Sequence, residues 1–127
     1  MQKRDGVETR ERADERRGAS EPRRKQDDLL AAVIAHQQIA VVFQPQINPA
    51  NGEVLGAEAL ARWDRVAGAE QLFARAAAAG LSESLSRLVQ HKALRAAAAW
   101  EGPLRCLQVS VNLLPDEMAH DSYVDWL

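Results

Sequence analysis

The chain changes character near Asp28, where a stretch almost without apolar residues gives way to one in which they recur at regular spacing. Asp27 or Asp28 can cap a helix through LLAAVIAHQQ, whose apolar residues cluster at Leu29, Leu30, Val33 and Ile34. A β-rich run, Ile39 to Ile47, follows. Asn48-Pro49-Ala50-Asn51-Gly52 is turn chemistry, because Pro49 fixes φ and Asn51-Gly52 tolerates positive φ. A second strand is predicted from Glu53 to about Trp63, and the short loop makes it an antiparallel hairpin with the first. A short helix near Glu70 to Ala79 is closed by Gly80. A longer one runs from Ser82 to Trp100, with Leu85, Leu88, Val89, Lys92/Ala93, Ala96 and Trp100 on one stripe. Gly102-Pro103 ends that helix. A third strand is predicted over Leu104 to Asn112, then weaker helical signals at Pro115 to His120 and Asp121 to Leu127. The order β-β-α-α-β-α predicts an α/β fold and fits the start of a barrel with parallel strands and packed helices.

Composition sharpens this picture. Met1 to Asp28 holds nine Lys/Arg against eight acids, and its aliphatic residues are only Val7, Ala13 and Ala19. Such a segment cannot bury enough apolar surface to offset its ordering entropy, so residues 1–27 read as a charged tail or interdomain linker. Its balanced charge argues against a basic arm for a partner. Hydrophobic residues make up 46% of the chain, but many are alanine and aromatics are only 5%, so the core should be thin. The net charge of −2 gives no attraction toward nucleic acid or an anionic membrane. Cys106 is the single cysteine, which excludes an internal disulfide and fits a reducing cytoplasm. No apolar run approaches the roughly 20 residues that span a bilayer, and the charged start is not a signal peptide. These features read together as a soluble intracellular protein.

Alternation on the second strand puts Gly56, Glu58, Leu60 and Arg62 on one face and Ala57, Ala59 and Ala61 on the other. A carboxylate and a guanidinium on one face can share a site, the first holding a metal and the second a phosphate. The same pattern also describes an ion pair on an exposed sheet. On the third strand Leu107, Val109 and Val111 alternate with Cys106, Gln108, Ser110 and Asn112. Asn112 stands at the strand end, where a barrel places its ligand residues, and where an Asx turn or helix cap is equally at home. His36, His91 and His120 lack metal-ligand spacing, and Cys106 has no His or second Cys nearby and reads as a small strand residue.

Three blocks in order carry a resemblance to a known family. They are FQPQINPANGEVLGAEALARW at Phe43 to Trp63, LVQHKALRAAAAW at Leu88 to Trp100, and VSVNL at Val109 to Leu113. The chain from about Asp28 onward resembles the first part of the EAL family, bacterial phosphodiesterases that hydrolyse cyclic di-GMP; the first block contains the name-giving Glu58-Ala59-Leu60. The resemblance implies a partial TIM-type (β/α) barrel with an antiparallel first strand, residues 28–127 being the N-terminal half of the domain. It implies Mg²⁺ or Mn²⁺ at the barrel mouth and hydrolysis of cyclic di-GMP to linear pGpG. By the same resemblance Glu58 and Asn112 match metal ligands, Arg62 matches an arginine on substrate phosphate, Gln44 contacts the nucleotide, and Leu60 lies against the ligand.

The departures set further expectations. The family's His-Pro after Arg-Trp is replaced by Asp64-Arg65, and Val66 to Leu72 looks shortened. A closed barrel takes about 250 residues against 127 here, and the family's later glutamate, paired aspartates and lysine fall beyond Leu127. These residues alone are therefore expected to be inactive, to bind metal weakly, and to be poorly stable at the open edge of the third strand. The alternative is a non-catalytic module that uses that edge to bind a protein partner or to form a homodimer.

Overall fold

The computed structural model describes residues 26–117. The charged segment up to residue 25 and most of the helical signals after Pro115 lie outside the described residues. The first helix, α1, spans Asp28–Ala35 and is capped by Asp27, whose Oδ1 accepts the Leu30 N–H at 3.0 Å. Strands β1 (Ala40–Ile47) and β2 (Val54–Arg62) follow. The turn between them closes through its own polar groups: Ala50 N–H donates to Asn48 Oδ1, Glu53 N–H donates to Asn51 Oδ1, and Gly52 takes φ 72°. This is the behaviour expected of Asn and Gly at such positions.

Next come α2 (Ala69–Ala79) and α3 (Ser82–Ala98). Gly80, at φ 72°, ends α2 in the left-handed conformation. Leu81 N–H reaches Ala76 O and Gly80 N–H reaches Ala77 O, the paired hydrogen bonds of a Schellman motif.

The third strand departs from expectation. Gly102–Cys106 is a 3₁₀ turn, and β3 is only Gln108–Ser110. Gly102 has φ 59° and Pro103 offers no N–H, so the segment leaving α3 curls before it can extend. Cys106 therefore lies exposed in that turn rather than within a strand.

The sheet has the order β1-β2-β3. β1 pairs antiparallel with β2, setting Gln44 against Glu58, Val42 against Leu60, Ala40 against Arg62 and Pro45 against Ala57. β2 pairs parallel with β3, Gly56 against Gln108 and Glu58 against Ser110. Ala57, Ala59 and Ala61 are all buried on the side where the helices pack. The core joins Leu30, Val33 and Ile39 to Leu72, Ala76, Leu85, Leu88 and Val89. Phe43 adds an edge-to-face contact with Trp100, ring centroids 4.9 Å apart.

Two polar links tie distant segments to this core. Lys92 of α3 donates to the Ile39 and Gln37 carbonyls, holding the bend where Gln37 takes φ 56°. Asp27, besides capping α1, takes two hydrogen bonds from Arg75 of α2, whose guanidinium lies 4.7 Å from the Trp63 ring centre. The hydrogen bond to Asp27 raises the Arg75 pKa, with burial opposing and Coulombic attraction adding to it.

Gly56 is where β2 tolerates nothing larger. A Cβ there would stand 2.6 Å from the Gln108 backbone oxygen. Gly56→Ala is expected to destabilise the fold by about 1–3 kcal/mol, the usual range for overpacking, read as a lower urea midpoint. A midpoint equal to wild type would mean that the β2–β3 pairing gives way at no cost. Asp27→Ala is expected to lose about 1 kcal/mol through the cap alone.

Candidate functional site

The face of the sheet opposite the helices carries the polar chemistry. Because directly paired residues in an antiparallel ladder share a face, Gln44 stands beside Glu58, Val42 beside Leu60 and Ala40 beside Arg62. Gln44 and Arg62 are exposed, while Glu58 and Leu60 are half-buried. Asn112 lies two residues past the end of β3. Its Nδ2 donates to Glu58 Oε1 at 3.3 Å, a contact between residues 54 positions apart. The fold thus gathers Gln44, Glu58 and Asn112 into one cluster.

Leu60 and Arg62 sit farther along β2. β3 pairs with β2 only as far as Glu58, so the edge of β2 beyond that point is open on this side among the described residues. An open cleft of about 250 Å³ occupies this region, lined by Leu60, Phe73, Val89, Asn112, Leu113 and Leu114 among others. Arg62 is four residues from Glu58, about 13 Å along an extended strand. Its Nη1 donates to the Ala61 carbonyl at 2.9 Å, and it makes no ion pair with Glu58 among the described residues. The sheet-face ion pair that alternation alone allowed is therefore not what these two residues form.

The donors present suit a hard divalent cation. Glu58 offers a carboxylate, and Asn112 and Gln44 offer carboxamide oxygens, the ligand types that Mg²⁺ and Mn²⁺ accept. Asn112 now presents its Nδ2 to Glu58; a shared cation would require its Oδ1 to turn inward. Among the described residues no group of three or more His, Cys, Asp or Glu is gathered to hold a metal. A complete octahedral shell would therefore draw on water, substrate or residues outside 26–117. His36 is engaged elsewhere: its Nδ1 bonds the Ala32 carbonyl at the end of α1.

Sequence reasoning passed over the groups beneath Asn112. Ser86 and Gln90 of α3 and the Glu117 side chain are buried and hydrogen-bonded together just behind the turn that carries Asn112. The signal was there: Ser86 and Gln90 fall four apart beside Leu85 and Val89, on the stripe that packs inward.

With the geometry in place, comparison with known proteins gives the class. The sequence model of the EAL domain matches residues 26–127, and the chain belongs to the EAL-domain family, a TIM-barrel family. The mixed α/β content and three-stranded sheet agree with that assignment. The chain is 38% identical over 96 residues to an uncharacterized signaling protein of Caulobacter vibrioides, covering 67% of this chain and 11% of that protein. It is 33% identical over 88 residues to a probable cyclic di-GMP phosphodiesterase, PdeB, of Escherichia coli, covering 66% of this chain and 17% of that protein. The chain thus spans less than a fifth of either curated relative. Among the described residues no helix is long and apolar enough to cross a membrane.

The cluster's placement makes a claim about stability. Glu58 and Asn112 touch through one long, solvent-accessible hydrogen bond. Glu58→Ala and Asn112→Ala should each shift folding stability by no more than about 0.5 kcal/mol, as for surface substitutions. Losses of several times that size in thermal melts would mark them as structural residues instead.

Proposed function

We propose that this chain forms the first part of an EAL barrel whose site hydrolyses cyclic di-GMP to linear pGpG with Mg²⁺ or Mn²⁺, in the bacterial cytoplasm. The observation that carries the reading is the Glu58–Asn112 contact, which brings a carboxylate on β2 beside a carboxamide from the turn after β3. The family membership supports it, as does the relative named as a phosphodiesterase.

In this reading Glu58, on β2, and Asn112, in the turn after β3, would hold a divalent cation. Such cations, when bound, lower the pKa of water and draw charge from the phosphodiester. Gln44, directly opposite Glu58, meets the nucleotide from β1. Leu60 gives an apolar wall against a base or ribose. Arg62, about 13 Å along the strand from Glu58, meets phosphate charge at a distance suited to a ligand as long as a cyclic dinucleotide. The remaining ligands and the general base come from outside residues 26–117.

Incubating the intact protein with cyclic di-GMP and Mn²⁺, and separating the products by chromatography, should show pGpG that disappears with Glu58→Ala or Asn112→Ala. Arg62→Ala should lower kcat/KM by roughly 10–100-fold, the worth of a hydrogen bond to a charged group, with the Mn²⁺ requirement unchanged. No pGpG from wild type, together with partner capture or dimerisation indifferent to Glu58→Ala, would favour a non-catalytic binding module in its place.

A further inference from the structure

Asn112 is not held by the sheet. β3 ends at Ser110, and the next residues join no ladder. They are fixed instead by a buried polar cluster on α3. Glu117 is 5% exposed, and its Oε2 lies 2.8 Å from Ser86 Oγ, 3.1 Å from Gln90 Nε2 and 2.9 Å from the Leu114 N–H. Gln90 Nε2 also reaches Ser86 Oγ at 2.9 Å and the Asn112 backbone carbonyl at 3.4 Å. The Glu117 N–H returns a hydrogen bond to Leu114 O at 3.0 Å.

This arrangement does two things at once. Glu117 reaches back three residues to the Leu114 N–H, the carboxylate half of a capping box, although Leu114 has no side-chain oxygen to return the bond. The same carboxylate is anchored to Ser86 and Gln90, one helical turn apart on α3. Through these contacts the turn after β3 is fastened to a rigid helix at Asn112 and at Glu117, with Leu114 tied to Glu117 within the turn. The bonds converge on Oε2 and tie the turn to α3, while Oε1 is buried without a partner among the described residues.

We infer that Glu117, working with Ser86 and Gln90, is a positioning residue for Asn112: it fixes the turn after β3 so that the Asn112 carboxamide stands at Glu58. The inference rests on the proposed role of Glu58 and Asn112 as cation ligands. Groups that orient a ligand without touching the metal commonly govern affinity by about 10–100-fold.

The test uses Mn²⁺ alone and needs no turnover. Free Mn²⁺ is measured by electron paramagnetic resonance in a titration of the intact protein, with melting temperatures recorded alongside. Glu117→Ala should weaken Mn²⁺ binding by about 10–100-fold. Glu117→Gln, whose carboxamide oxygen can still accept from Leu114 N–H and Ser86 Oγ, should restore affinity to within about threefold of wild type. Should Glu117→Ala fail to fold, Gln90→Met answers the question, since it removes the bond to the Asn112 carbonyl while keeping volume; it should weaken binding in the same direction by a smaller factor. Wild-type Mn²⁺ affinity in a folded Glu117→Ala protein with a lowered melting temperature overturns the inference and leaves a purely structural cluster. Wild-type affinity in Glu58→Ala and Asn112→Ala as well overturns the ligand assignment itself, and the inference with it.

Discussion

The alanines at 57, 59 and 61 and the glycine at 56 let the rest of the molecule come close to β2, and the other elements depend on that approach. On one face the alanines are small enough for α2 and α3 to lie against the sheet and bury Leu72, Leu85 and Val89. At Gly56 the backbone of β3 passes so near that a single methyl group would collide with it. Since side chains alternate along a strand, the requirement for alanine on one face sends Glu58, Leu60 and Arg62 to the other. A slip of one residue in the pairing would bring Glu58 and Arg62 into the core and expose the alanines, so packing and chemistry enforce the same register.

From that register the site is assembled in steps of increasing sequence distance. Gln44 is brought to Glu58 by a hairpin that needs only a short turn. Asn112 arrives from 54 residues away, by way of two helices and a strand three residues long. So brief a strand gives little leverage over the residues after it, and the buried bonds of Ser86, Gln90 and Glu117 act on the turn that the ladder does not reach. The Glu58–Asn112 contact is thus approached from two directions, Glu58 from the sheet and Asn112 from a turn bonded to a helix.

How much of this could be read from the residues depended on how local its cause was. The turn from Asn48 to Gly52 and the left-handed close at Gly80 are set by the residues that occupy them, and both were legible. The face carrying Glu58, Leu60 and Arg62 was legible for the same reason, since alternation needs no knowledge of the partner strand. The third strand was overdrawn because Leu107, Val109 and Val111 alternate convincingly, while the curl begun at Gly102 and Pro103 consumes the residues before them. The link from Asp27 through Arg75 to Trp63 joins three separate segments, and no local pattern announces it. Glu117 was passed over because a glutamate beside an aspartate reads as surface; only the fold shows its carboxylate meeting Ser86 and Gln90, 31 and 27 residues away.

Pro45 lies midway along β1, paired with Ala57, and β1 is an edge of the sheet among the described residues. A proline that keeps its place in an antiparallel strand does so with its nitrogen turned outward, where no neighbour asks it for a hydrogen bond. The outer border of β1 therefore has a gap in its row of donors, close to the exposed Val42 and Ile47. A foreign strand arriving there finds a broken template, which is how natural sheets discourage runaway edge-to-edge association. Among the described residues the β1 border is thus blunted at Pro45 and offers an interrupted ladder to any strand that pairs beside it.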